Sequence, residues 1–162
     1  MTTTINRVLA VGSAPPECAE LSRSVEARHC YPGVERVQVR ASGLVLFFEI
    51  KLAPPGADAA GAPAVWVDEH LGPVVEVPDG VRWTSTMLWK WPNEDLVSAD
   101  SSYTFRPAGS GTEFTFELSY ELPRTRGLAH LRDRGRFAES VERAIDRYLE
   151  NLAALLSPAQ VH

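Results

Sequence analysis

Residues 96–122 read LVSADSSYTFRPAGSGTEFTFELSYEL, and residues 127–156 read GLAHLRDRGRFAESVERAIDRYLENLAALL. The first stretch alternates. Ala99, Ser101, Tyr103 and Phe105 share one face of a strand, and Phe114, Phe116, Leu118, Tyr120 and Leu122 share one face of the next. Side chains at i and i+2 of a strand point the same way, so this is a hairpin with one apolar side. Pro107-Ala108-Gly109-Ser110-Gly111 is its expected connection. The second stretch has a helical period instead. Leu128, Leu131, Ala138, Val141, Ile145, Leu149, Leu152 and Leu155 or Leu156 fall on one stripe, opposite arginine and glutamate. Gly135 interrupts the pattern and is expected to kink or divide the helix. An antiparallel hairpin with an apolar face needs a cover, and a long amphipathic helix follows it directly.

Working back towards the N-terminus, more strands appear. Val81 to Trp89 puts Trp83, Ser85, Met87 and Trp89 on one face and leaves Arg82 on the other. Arg106 likewise falls on the outer face of its strand. Pro78-Asp79-Gly80 is a turn, Val74 to Val77 a short strand, and Trp91 to Asp95 another turn. Ala64 to Leu71 is a strand that can be read either way up, because large residues occupy both parities. Ala53 to Pro63 holds alanine, proline, glycine and one aspartate, the composition of a loop. Leu44, Leu46, Phe48, Ile50 and Leu52 share a strand face, and Ser42-Gly43 turns the chain from the strand carrying Val37 and Val39. Tyr31-Pro32-Gly33 ends short helical stretches running from Pro16 to about Arg28, which Ser13 is placed to cap. Thr4 to Val11 is the first strand. The expected fold class is therefore α+β: a curved antiparallel sheet of six or seven strands, two short helices after the first, and one long C-terminal helix.

The 162 residues suit one domain, 1–162, with one core. A net charge of -5 argues against nucleic acid as a partner. The two cysteines, Cys18 and Cys30, lack metal-ligand spacing and read as free thiols. No stretch has the ~18 apolar residues of a membrane span, and the first residues lack the order of a signal peptide, so the expected location is the cytoplasm. Abundant alanine, and arginine in place of nearly all lysine, is the composition of a GC-rich bacterial genome. No phosphate-binding glycine loop or nucleophile elbow is present, and no cofactor or metal is expected.

Several segments resemble the START and polyketide-cyclase superfamily, also called SRPBCC, which includes the birch-pollen allergen. Ala14-Pro15-Pro16-Glu17 resembles its junction between first strand and first helix, and Tyr31 through Val37 the entry to its second strand. Tyr103 to Pro107, Gly111-Thr112-Glu113 and Phe114 to Pro123 resemble its last hairpin. Two departures stand out: Cys18-Ala19-Glu20 lies where a bulkier apolar residue is usual, and the loop 53–63 is poor in polar anchors. The resemblance implies a helix-grip fold with an apolar cavity between sheet and helix. It implies a hydrophobic small-molecule partner (a lipid, a polyketide or another aromatic-like compound) and, in some members, aromatase/cyclase activity in secondary metabolism.

The residues for such a ligand are those on the inner faces: Phe48, Trp83, Ser85, Met87, Trp89, Ser101, Phe105, Phe116, Tyr120 and, from the helix, Tyr148. Aromatic faces stack on rings and isolated hydroxyls fix orientation. Catalysis would need a base and an oxyanion donor. Asp68-Glu69-His70 supplies the base: if Trp66, Asp68 and His70 face inward, a carboxylate and an imidazole enter the cavity, and if Val65, Val67 and Glu69 do, one carboxylate does. Glu69 or His70 as base, with Tyr103 or Ser85 as donor, fits the cyclisation of a poly-ketone chain. Three readings stand side by side: a carrier or sequestering protein, a cyclase, and an interaction module with a filled core. Val45 and Phe47, on the outer face of their strand, are the residues for an exposed patch or a homodimer contact.

Overall fold

Alternation governs every long strand. On β6 (Gly80–Lys90), Trp83, Ser85, Met87 and Trp89 are buried while Arg82, Thr84 and Thr86 are exposed. On β8 (Gly111–Glu121), Thr112, Phe114, Phe116, Leu118 and Tyr120 are buried. Between them lies β7 (Leu96–Ala108), with Val97, Ala99, Ser101, Tyr103 and Phe105 inward. The structure is a computed structural model that describes residues 2–42, 45–52, 65–90, 96–121 and 130–158. The remaining strands are β1 (Thr2–Val11), β2 (Val34–Ser42), β3 (Val45–Leu52), β4 (Val65–Leu71) and β5 (Val75–Val77). They form one eight-stranded antiparallel sheet in the order β1-β8-β7-β6-β4-β3-β2, with β5 paired to β6. This is the α+β arrangement expected, the short β5 being an appendage.

The first and second strands are therefore the two edges. The chain crosses from one to the other through α1 (Pro15–Ser22) and α2 (Val25–Arg28), which close one end of the curved sheet. Ser13 does not cap α1: Ala14 holds that position without a side-chain bond. Ser13 instead ties the termini together, its N–H donating to the Leu156 carbonyl at 2.9 Å and its own carbonyl accepting from Thr112 Oγ1 at 2.5 Å. Ser24 does cap α2, accepting the Ala27 N–H at 3.2 Å. The β7–β8 connection is tighter than the five residues expected. Pro107 pairs with Thr112 and Ala108 with Gly111, so only Gly109 and Ser110 turn the chain. Gly109 takes φ 59°, the left-handed conformation such two-residue turns require and glycine accepts freely. Pro107 is tolerated because it lies past the start of β6, with β8 alone beside it.

The long helix α3 (His130–Leu155) runs unbroken through Gly135, which is exposed, so the expected division does not occur. Ile145, Tyr148, Leu149, Leu152 and Leu156 face the sheet and are buried. Each such side chain removed from water contributes roughly 1.5–3 kcal/mol. Arg7 clasps the helix to the β1 edge through Glu142 at 2.6 Å and Asp146 at 2.9 Å. Both thiols are free: Cys18 is buried and Cys30 half-buried. The expected loop 53–63, the turn 91–95, Gly43, Leu44, Leu122, Leu128 and the side chains of Val45 and Leu131 lie outside the described residues. Among the described residues no helix is long and apolar enough to cross a membrane.

Candidate functional site

The Val65–Leu71 strand resolves its two readings in one direction. Val65, Val67, Glu69 and Leu71 are buried and His70 is exposed. His70 lies on the outer face against Phe47, ring centres 4.4 Å apart, so it is no base for the interior. Asp68 is also outward and pairs with Lys90 at 2.7 Å. The reason is register. Glu69 stands between Phe48 on β3 and Met87 on β6, and Val67 between Ile50 and Trp89. Only this facing lets β4 continue the apolar rows of its neighbours.

The consequence is a fully buried carboxylate, which is costly unless a cation meets it. Among the described residues no strand supplies one. It comes from Arg28, the last residue of α2, whose Nη1 lies 3.2 Å from Glu69 Oε1, both side chains shut off from solvent. Nη2 of Arg28 donates to the Ser22 carbonyl at 2.7 Å and to the Tyr148 hydroxyl at 3.2 Å. The guanidinium lies 5.5 Å from the centre of Phe48, 5.7 Å from Trp83 and 5.9 Å from Tyr31, within cation–π range of each. Its Nε–H meets no acceptor, and Nη1 has the ion pair but no aligned hydrogen bond.

Three phenols complete the cluster. Tyr103 and Tyr148 share a hydrogen bond of 2.7 Å. Tyr31 stacks on Tyr148, centres 4.1 Å apart and planes within 10°, and its hydroxyl donates to Glu69 at 3.3 Å. Trp83 stacks on Tyr103 at 3.9 Å and donates Nε1–H to Ser22 Oγ at 2.8 Å, which fixes the closed end of the sheet to α1. Burial pushes the Tyr148 phenol up to about 12 against the pull of Arg28. It raises Tyr31 and Tyr103 well above the ordinary tyrosine value, with the Glu69 charge adding to the effect. Burial also opposes the Arg28 cation, but Glu69 and then the tyrosines outweigh it and hold the guanidinium above its usual pKa. Near neutral pH Arg28 is therefore a cation and the three phenols are neutral, each able to donate.

The inward residues divide into three groups. Phe48, Glu69, Met87, Trp83, Tyr103, Phe116 and Tyr148 gather around Arg28, and Phe105 packs on Phe114 beyond them with centres 4.8 Å apart. Ser85 and Ser101 sit mid-sheet and bond each other at 2.6 Å. Trp89 and Tyr120 meet at 5.6 Å towards the other end, with Phe137 of α3 at 6.1 Å from Tyr120. Arg82 and Arg106 are exposed, as their parity requires. Sequence reasoning missed Arg28 and Tyr31. The one available signal was indirect: an inward Glu69 demands an inward cation, and none lies on a strand among the described residues.

Comparison with solved structures agrees with this architecture over nearly the whole chain. A Thermus thermophilus protein, TTHA0849, superposes with a TM-score of 0.68 at 16% identity, covering 95% of this chain and 97% of that one. The Zhui aromatase/cyclase of a Streptomyces species gives 0.66 at 15%, covering 96% and 92%. Ara h 8.0201 gives 0.60 at 8%, covering 96% and 98%. The fold is the helix-grip fold. At these identities the likeness is one of helix-grip architecture alone. No protein-family model matches the sequence, and no curated protein matches it. Within the helix-grip frame, this chain places a charge pair and three phenols together, held by α1, α2, the turn after α2, β4, β7 and α3.

Proposed function

We propose that this helix-grip protein binds an apolar, ring-bearing small molecule between its sheet and α3, with the Arg28–Glu69 cluster as the polar anchor. The observation that carries the reading is the cluster itself. A buried ion pair is a poor stability device, because hydrophobic residues of the same volume serve as well or better. An arginine wrapped in aromatic rings, with an N–H left over, suits a ligand that brings a ring and an oxygen. The interior lining supports the same reading. Ser85, Ala99 and Ser101 lie together on the buried face of the sheet, three small side chains between Trp83 and Tyr103 on one side and Trp89 on the other.

A second reading is favoured by Glu69 and the Tyr103–Tyr148 pair facing one interior. It is the cyclisation or dehydration of a polyketide-like chain, as in an aromatase/cyclase. Glu69 would remove a proton from the carbon between two carbonyls. That carbon would attack a third carbonyl, whose oxygen takes its proton from a tyrosine hydroxyl, and the proton held on Glu69 would then pass back to restore the phenol. Titration calorimetry with naphthalene-sized apolar rings, together with native mass spectrometry of the purified protein, tests the binding reading. Micromolar binding or a co-purifying small molecule supports it; no binding of any ring and no co-purified mass overturns it. Loss of turnover of a synthetic poly-ketone thioester in Glu69→Gln and Tyr103→Phe, with ring binding retained, would select the catalytic reading over the carrier.

A further inference from the structure

Tyr31 differs from the rest of the cluster. It belongs to neither helix nor strand and is half-buried, whereas Arg28, Glu69, Tyr103 and Tyr148 have no exposure. Its backbone N–H reaches the Arg28 carbonyl only at 3.4 Å, a weak bond. Pro32 and Gly33 follow it, Gly33 at φ 74°, in the left-handed region that favours glycine. The turn is pinned one residue earlier, where Asn151 of α3 donates to the Cys30 carbonyl at 2.9 Å. The Tyr31 ring thus hangs beyond a fixed point. It fills a slot defined by the face of Tyr148, the Glu69 carboxylate, Met87 Sδ and the Arg28 guanidinium.

That slot has the chemistry of a phenol site, and although Tyr31 also hydrogen-bonds Tyr103 there, it reaches the carboxylate only loosely. Its hydroxyl lies 3.3 and 3.5 Å from the two Glu69 oxygens, against the 2.7 Å of the neighbouring Tyr103–Tyr148 bond. A hydroxyl donating to a carboxylate prefers about 2.5–2.7 Å. The Arg28 Nε–H, meanwhile, has no acceptor.

We infer that Tyr31 is a built-in occupant of a hydroxyaryl subsite, and that a ligand ring bearing one hydroxyl displaces it. This rests on the binding reading above and names its ligand class. The ligand ring stacks on Tyr148, and its O–H donates to Glu69 more closely than Tyr31 does, beside the Arg28 cation. Tyr31 swings outward. No bond is made or broken; the selectivity comes from a buried carboxylate left under-bonded by any ring without the hydroxyl.

The test uses 2-naphthol, its methyl ether 2-methoxynaphthalene, and naphthalene, titrated calorimetrically into the full chain. The expected result is at least a tenfold preference for 2-naphthol over the other two. Tyr31→Ala removes the occupant, so all three bind several-fold more tightly and the preference is kept. The double variant Arg28→Met/Glu69→Leu removes both charges; it is expected to bind all three rings with a preference below twofold. Equal binding of naphthol and ether by the native chain, or no gain in Tyr31→Ala, overturns the phenol site while leaving apolar binding standing. If no ring binds the native chain or Tyr31→Ala, the underlying binding reading falls and this one with it. If the double variant does not fold, the naphthol-to-ether ratio in the native chain and the Tyr31→Ala gain decide the matter alone.

Discussion

Nη1 of Arg28 stands 3.2 Å from Oε1 of Glu69, and neither side chain reaches water. One partner comes from a four-residue helix, the other from the fourth strand. The pair sets the electrostatics of everything around it.

Removing one partner leaves the other charged and buried, which typically costs about 3–5 kcal/mol. Arg28→Met and Glu69→Leu are each expected to destabilise by that order in urea unfolding. The double variant is expected to cost less than either single one. A double variant whose loss equals the sum of the two singles would show that the charges do not interact as the geometry requires.

The tyrosines give a pH signature at the alkaline end. Burial raises Tyr148 to about 12 in the fold, whereas an unfolded tyrosine titrates near ~10. The folded state therefore keeps a proton that the unfolded state has lost, and stability falls as pH rises from ~10 through the folded value. Below ~10 the contribution is fully present. Chemical unfolding as a function of pH, followed with tyrosinate absorbance, is expected to show a steady loss over that window. Tyr148→Phe is expected to make the fall shallower without abolishing it, because Tyr31 and Tyr103 are raised as well, and an unchanged slope would count against the burial of this hydroxyl.

Burial also raises both thiols, Cys18 and Cys30. Cys18 is enclosed, and its Sγ donates to the Ser13 carbonyl at 3.3 Å. A thiol held neutral and out of reach reacts slowly. Labelling with a thiol reagent is expected to modify Cys18 at least a hundredfold faster in denaturant than in the native protein. Rapid native labelling of Cys18 would place it outside the core.

Arg7 is partly exposed, so its clasp on Glu142 and Asp146 is a weak stabiliser, worth up to ~1 kcal/mol. Its effect is local. Arg7→Ala is expected to leave the melting temperature within a few degrees while hydrogen exchange around Glu142 and Asp146 speeds up. A large global loss with no local change would assign Arg7 a different role.

Most of the frame was legible in the residues because strand facing is a local property. Trp83, Met87, Trp89, Tyr103, Phe116 and Tyr120 lie inside as their alternation required, and the stripe from Ile145 to Leu156 faces the sheet. Ser13 and Gly135 misled for a physical reason: a cap and a kink depend on where the chain goes next. Ser13 is drawn away to the Leu156 end of the helix, and Gly135 keeps its helical bonds on the exposed side.

What the amino-acid order determined by itself is the alternation, the helical stripe and hence a sheet gripping one helix. What only tertiary structure decided is the polarity of the interior. The parity of β4 was balanced until β3 and β6 lay beside it and turned Glu69 in and His70 out. Arg28 had no pattern to announce it, since α2 is too short to display a period. It reaches Glu69 because the two helices bridge the edges of the sheet, across a separation in sequence that no local rule spans.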